Sequence, residues 1–181
     1  MTASSAYLET RKGKSKRLAV GVSLARFSPD GRYILGIAGT ETLRPDAYVW
    51  DKNGRERGRM HLESVGADFA LLAPSGRELF VVSPEGIGQL WSLSKRKKIA
   101  VYPDLTTSFR WAWCSPTGDH ILITIDGQAP RLIGTDGKTD IRLHGHTGGI
   151  WTACFSPKGD RILTASTDNT ARLWDLEGNT L

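Results

Sequence analysis

His146, Ser166 and Asp168 place an imidazole, a hydroxyl and a carboxylate within one short stretch, residues 143–178. A serine hydrolase uses the same three groups: the imidazole takes the hydroxyl proton, and the carboxylate holds the imidazole in position. No Gly-x-Ser-x-Gly elbow presents a strained nucleophile anywhere in the chain, so no catalytic residue is assigned. His144 and His146 are two apart and would share one face of a strand. A metal site needs three or four ligands, and no cysteine or acidic cluster lies near them in sequence, so no metal is expected. Gly86-Ile87-Gly88 lacks the Gly, Lys and Ser/Thr that complete a phosphate loop and reads as a turn. No cofactor is expected.

The elements that position these residues are found by comparing the chain with itself. Residues 143–178 open on Gly145-His146 and close on Trp174-Asp175, with two apolar runs split by Ser-Pro-Lys-Gly-Asp. Pro-x-Gly turns recur at Pro29, Pro74, Pro116 and Pro157, with spacings of 45, 42 and 41. Those spacings fall in the ~40–45 residue period of a four-stranded propeller blade. A second marker keeps the same register, since Trp91 and Trp174 each lie 17 residues after their proline. In the third unit that offset lands on Ile133. In the first, Trp50 lies 21 after Pro29, which places a four-residue insertion around residues 41–45. Such an insertion adds little closure entropy. "RILTAS" and "HILITI" are short β-branched runs bounded by turns, and "ARLWDL" alternates apolar with polar residues. No segment has a capped helical period.

Gly145-His146 and Trp174-Asp175 bracket a unit that closely resembles a blade of the WD-repeat β-propeller family. The resemblance runs from about Val20 onward. It is strong in the fourth unit and moderate in the first, with "FSPDGRYILGIAG" and Trp50-Asp51. It is weaker in the second, where Trp91-Ser92 stands, and weakest in the third, with Ile133-Gly134. It implies an all-β fold of about four units of four antiparallel strands, in an incomplete, open propeller. The expected layout is a basic segment at 1–17, disordered or supplying a closing strand around Ala6 to Glu9, followed by blades at about 18–63, 64–104, 105–145 and 146–181. The fourth blade's last strand should begin at "EGNTL", so further blades, or association of copies, would complete a ring. The family's buried tetrad maps onto His146, Ser166, Asp168 and Trp174. That mapping makes the trio a brace: Asp168 accepts from His146, the imidazole meets Ser166, and the hydroxyl accepts from the Trp174 indole. The family's partner contacts map onto Ser23, Asp68, Arg110 and Trp151 at the starts of first strands, with Gln128 and Asn169 on turns between second and third strands. Trp and Arg are enriched in interface hot spots. The implied function is a non-catalytic scaffold that binds protein partners and belongs to a larger propeller or regulatory protein.

Composition narrows the classes further. At 181 residues the chain is long enough for a substantial domain. No run approaches the ~18 apolar residues of a membrane span, and the N-terminus lacks an apolar secretory core. Two cysteines, Cys114 and Cys154, sit in strand patterns of different units and read as buried thiols, in keeping with a reducing, cytoplasmic setting. The net charge of +5 is uneven. Basic residues gather at Arg11, Lys12, Lys14, Lys16 and Arg17, at Lys52, Arg55, Arg57 and Arg59, and at Lys95, Arg96, Lys97 and Lys98. Arg55, Arg57 and Arg59, and the last group, fall on turns between third and fourth strands, at 53–59 and 94–98. They carry an alternative function, binding of nucleic acid or another anionic surface.

Overall fold

The computed structural model describes residues 5–9, 15–39, 45–63, 66–105 and 109–181. Arg11, Lys12 and Lys14 of the basic segment, and residues 41–44 of the insertion, lie outside them. The described residues are all β. A hairpin, β1 (Ser5–Glu9) with β2 (Ser15–Val20), is followed by four antiparallel meander sheets. The first runs β3 (Val22–Phe27), β4 (Tyr33–Ala38), β5 (Asp46–Asp51) and β6 (Glu56–His61). The second runs β7 (Phe69–Leu72), β8 (Glu78–Val82), β9 (Gly88–Ser92) and β10 (Lys97–Tyr102). The third runs β11 (Phe109–Cys114), β12 (His120–Ile125), β13 (Arg131–Gly134) and β14 (Asp140–Arg142). The fourth has three strands, β15 (Ile150–Phe155), β16 (Ile162–Ser166) and β17 (Ala171–Trp174). Beyond β17 the chain turns, and Thr180 pairs antiparallel with Trp174 where a fourth strand would begin. The strand expected to form around Ala6 to Glu9 pairs with β2 and with no strand of the four sheets.

The four Pro-x-Gly tetrads form one recurring turn between first and second strands. The glycine N–H donates to the carbonyl three residues back, at Ser28, Ala73, Ser115 and Ser156, over 2.8–2.9 Å. The N–H of each of those four residues then donates to the carbonyl five residues on, at Tyr33, Glu78, His120 and Arg161. Gly31, Gly76, Gly118 and Gly159 all have φ between 68° and 84°, a conformation that side chains other than glycine's resist.

The chain divides into two compact units, residues 1–84 with 91–98 and residues 85–90 with 99–181. Alternation along the strands gives each sheet two faces. One carries the tryptophan position of the third strand: Trp50, Trp91, Ile133 and Trp174. The other carries apolar pairs such as Leu35 with Val49, and Leu122 with Leu132. In the first unit, Leu35, Ile37, Ala47 and Val49 form one core with Ala70, Leu72, Leu79, Val81 and Trp91. In the second, Leu122, Leu132 and Leu143 form one core with Ala153, Ile162 and Trp174. Within each unit, the leucine face of the earlier sheet therefore packs on the tryptophan face of the later one. Each fully buried leucine contributes about 1.5–3 kcal/mol of transfer free energy. The first sheet's own tryptophan face, Val22, Ile34 and Trp50, is covered by Leu8 and Leu18 of the hairpin. Lys16 fastens the hairpin by donating Nζ to Gly54 O at 2.8 Å.

Candidate functional site

The polar cluster of the fourth sheet is built on β16. Its side chains alternate, so Ile162, Thr164 and Ser166 share the tryptophan face, and Ile162 pairs directly with Trp174. The indole Nε1–H of Trp174 reaches back to Thr164 Oγ1 at 2.8 Å. The same hydroxyl lies 2.8 Å from His146 Nε2, and His146 Nδ1 lies 2.8 Å from Asp168 Oδ2. The hydroxyl between histidine and tryptophan is thus Thr164, where Ser166 was expected. The reason is reach: Ser166 is one full pleat repeat, about 6.6 Å, farther along the strand. There its Oγ accepts the Asp168 N–H at 3.2 Å and belongs to the turn. Asp168 also accepts from the N–H groups of Thr147 and Thr170 and from the Thr170 hydroxyl. Its carboxyl is held well below the usual 3.8, first by the Thr170 hydroxyl and then by His146 and those N–H groups, against the opposing effect of burial. Gly148 lets the loop come this close, since a Cβ there would stand 2.4 Å from Thr167 Oγ1. Every member donates to or accepts from another, and Thr164 Oγ1 is engaged by both the histidine and the indole. The His146 and Trp174 side chains are withdrawn from solvent.

Among the described residues, no other sheet has a hydroxyl in the place of Thr164, which is taken by Gly36, Val81 or Ile123. Gly36 marks a different solution. Trp50 stacks on Tyr48 with centroids 5.4 Å apart, and its ring lies 2.6 Å from where a Cβ at Gly36 would sit. In the third sheet, Arg131 is the buried charged residue. It donates Nε and Nη2 to Asp140 at 2.6 and 2.5 Å and Nη1 to Asp104 at 2.6 Å. Its guanidinium stands 5.0 Å from the centre of the Tyr102 ring. The Asp140 bonds, before those to Asp104, raise the guanidinium pKa, and burial pushes Tyr102 up to about 12. Arg142 bonds Asp104 as well. This network escapes a search for WD markers, because it occupies a repeat whose markers have been lost.

Three of the partner-contact candidates share one backbone feature. The ladder of the first strand skips a residue between Val22 and Leu24, between Phe109 and Trp111, and between Ile150 and Thr152. The skipped residues are Ser23, Arg110 and Trp151. Asp68 takes the same place in the second sheet, donating its N–H to Val82 O while the next residue, Phe69, pairs with Val82. A bulge re-aims the side chain at the extra residue. Trp151 is 75% exposed, so its ring is not packed among the described residues. Arg110 is exposed and paired with Asp126 at 2.5 Å. Ser23 and Asp68 are exposed, and Ser23 Oγ also bonds Ile37 O. The turn residues differ from one another. Asn169 is exposed and has φ of 64°, so its place in the turn is conformational. Gln128 is half-buried and accepts from Arg142 at 3.2 Å. A pocket of about 200 Å³ lies between residues 127–130 and 146–150.

The basic turns of the first unit are partly spoken for. Arg57 pairs with Asp51 at 2.8 Å, and Arg59 with Asp46 at 2.9 Å while lying over Tyr48. Lys98 is half-buried, with Nζ 5.1 Å from the centre of the Trp91 ring. Arg55, Lys95, Arg96 and Lys97 are exposed. Arg59, His61 and Arg96 line one groove of about 600 Å³ with Glu56 and Met60. Among the described residues, no group of three His, Cys, Asp or Glu is placed to hold a metal ion. Cys114 is buried, Cys154 is exposed, and the two are not joined.

Comparison with known proteins agrees with this architecture. The family described as "WD domain, G-beta repeat" matches residues 137–175. Apoptotic protease-activating factor 1 of Danio rerio is 25% identical over 159 residues, covering 84% of this chain and 12% of that protein. Transcription initiation factor TFIID subunit 5 of Arabidopsis thaliana is 44% identical over 63 residues, 34% of this chain and 9% of its own length. WD repeat-containing protein 1 of Gallus gallus is 35% identical over 71 residues, 37% of this chain and 12% of its own. The chain thus spans less than a fifth of the length of these curated relatives. Among the described residues, no helix is long and apolar enough to cross a membrane.

Proposed function

We propose that this chain, a member of the WD-repeat family, is a non-catalytic module that binds protein partners through the bulged starts of its first strands. One observation carries the reading: the bulge recurs at the first strands of three sheets, and in the fourth sheet it holds the exposed Trp151. Trp151 and Arg110 are the anchors in the second unit, and Ser23 and Asp68 are contacts in the first. Asn169 and Gln128 sit on adjoining turns and shape the rim. His146, Thr164, Asp168 and Trp174 brace the loop that leads into the Trp151 strand. A relative that is a subunit of a transcription initiation factor supports a role inside a multiprotein assembly. The thiols, not joined to each other, support a reducing compartment such as the cytoplasm. The test is affinity capture from the native source with the parent chain, Trp151→Ala and Arg110→Ala. A hot-spot tryptophan contributes roughly 2 kcal/mol or more, about thirtyfold in affinity. Loss of the captured proteins with Trp151→Ala at unchanged stability is expected. An identical set captured by parent and variants would overturn the reading.

A second reading rests on the groove of the first unit. Arg59, His61 and Arg96 around one space of about 600 Å³ favour a polyanion or anionic surface as a further ligand. The salt dependence of binding tests it.

A further inference from the structure

Successive side chains of a strand point to opposite faces, so neighbouring residues rarely line one space. Arg59, Met60 and His61 do. With Glu56 of the same strand and Arg96 of the second sheet, they line the groove of about 600 Å³. Only the edge of a strand is open to both faces, so the groove runs along the edge of β6. Among the described residues, β6 ends its sheet and no strand pairs with that edge. The ladder to β5 shows what the edge offers. Asp46 is opposite His61, Tyr48 is opposite Arg59, and the Leu62 N–H donates to Pro45 O at 2.8 Å. Hydrogen-bonded and non-hydrogen-bonded pairs alternate along an antiparallel ladder. His61 and Arg59 therefore occupy non-hydrogen-bonded positions, and their backbone N–H and C=O groups point away from β5, toward the groove.

The side chains around this edge set the charge of what it can take. Arg59 is held in place by Asp46 at 2.9 Å and lies 4.9 Å from the centre of the Tyr48 ring, while His61 also bonds Asp46. Half of the Arg59 side chain stays exposed. Arg96 comes from the turn between β9 and β10, flanked by the exposed Lys95 and Lys97. Its φ is 49°, a conformation that costs any residue with a Cβ. The turns between third and fourth strands of the other sheets put glycine at positive φ: Gly54, Gly137 and Gly178. A long cationic side chain, kept where glycine would serve the turn better and lining a groove, has a use beyond the turn. Basic side chains on an open edge repel a second copy of β6, which brings its own Arg57 and Arg59, and admit an acidic strand. Nucleic acid fits less well. Its phosphates would pass Glu56, and no aromatic ring lines the groove for a base to stack on.

Building on the reading of this groove as a site for an anionic ligand, we infer that the open edge of β6 takes up an extended, acidic segment of a protein partner as an added strand. Main-chain groups of the segment bond the outward N–H and C=O groups of Arg59 and His61. Its carboxylates meet the guanidiniums of Arg59 and Arg96. Such a site needs both an extended backbone and charge, whereas a polyanion needs charge alone. The bulged strand starts and Trp151 take no part in it.

The test measures retention of short peptide libraries on the immobilised full chain. The first library has glutamate at every second position, with valine, threonine or isoleucine between. A second has the same sequences N-methylated at every internal backbone nitrogen, which keeps the charge and removes the donors. A third has glutamine for glutamate. The parent should retain the first about tenfold better than either of the others. Arg96→Gly should retain it about tenfold less than the parent, with a thermal midpoint no lower, because glycine accepts the positive φ. Arg96→Asn, which also tolerates that conformation, should behave likewise. Arg57→Ala should match the parent, since Arg57 does not line the groove. Equal retention of the N-methylated and unmodified acidic libraries would overturn the inference and leave the anionic reading of the groove standing. Equal retention of the glutamine and glutamate libraries would overturn both. Undiminished retention by the two Arg96 variants would overturn the inference, as would binding of a DNA duplex with no peptide retained, which assigns the groove to nucleic acid.

Discussion

Thr164 shows what single residues decide. The sequence contains hydroxyls at both Thr164 and Ser166, on the same face of one strand, and position matching selects Ser166. The strand register decides otherwise, because the Trp174 indole projects back over Thr164. Thr164→Val should therefore cost about 1–3 kcal/mol, since it strands the buried indole N–H and removes a partner of His146. Ser166→Ala should cost less, about 0.5–1.5 kcal/mol, because its partner is a turn N–H. Urea midpoints of the two variants against the parent give the order, and the reverse order would put Ser166 back between histidine and tryptophan. Asp168 was legible in sequence, but the set of bonds that depresses its pKa was not, because Thr147 and Thr170 carry no family signal. A carboxylate with a depressed folded-state pKa contributes its stability fully above its unfolded value and loses it as pH falls through the folded one. Stability should therefore decline below about pH 4. In Asp168→Asn this part of the decline should be absent, although the variant starts from a lower midpoint at neutral pH. Urea midpoints measured from pH 7 down to pH 2 compare the two slopes.

At the scale of elements, the sequence carried the repeat well and its substitutions poorly. The Pro-x-Gly turns fix the period because each places a glycine at positive φ, and no other residue type serves as well. Strand alternation fixes the two faces. The bulge at Ser23, Arg110 and Trp151 has no composition of its own, so its three unlike residues conceal it. The Arg131 network likewise depends on strands β13 and β14 and the Asp104 turn coming together, which no local pattern encodes. Where the repeat lost its hydroxyl, the sheet packed differently. In the first sheet the indole of Trp50 takes the space above Gly36. Gly36→Ala should accordingly cost about 1–3 kcal/mol through overpacking, against the small gain that removing a strand-interior glycine would otherwise give. Thermal midpoints measure it, and the amides of β4 and β5 should exchange faster in the variant. A stabilised Gly36→Ala would mean that Trp50 has room the packing does not show.

For the whole molecule, net charge is read directly from composition, but the number of cations available to a ligand is not. Seven basic side chains were expected on the two turns: Arg55, Arg57, Arg59, Lys95, Arg96, Lys97 and Lys98. Arg57 and Arg59 are ion-paired with Asp51 and Asp46, and Lys98 lies against Trp91, so each would give up an existing partner to meet a phosphate. Arg55, Lys95, Arg96 and Lys97 remain exposed on their turns. Each phosphate neutralised on a duplex contributes roughly −0.9 to the slope of log K against log salt. Four available cations therefore set a slope of about −3 to −4, where seven would give about −6. Binding of a fluorescent duplex, titrated over a series of salt concentrations, measures that slope. Lys95→Ala, Arg96→Ala and Lys97→Ala combined should bring it close to −1, since Arg55 alone remains. Arg57→Ala should leave it nearly unchanged, because that guanidinium is already held by Asp51. A slope near −6 in the parent would show that the ion pairs open on binding, and no detectable binding at low salt would end the polyanion reading while leaving the protein-binding one intact.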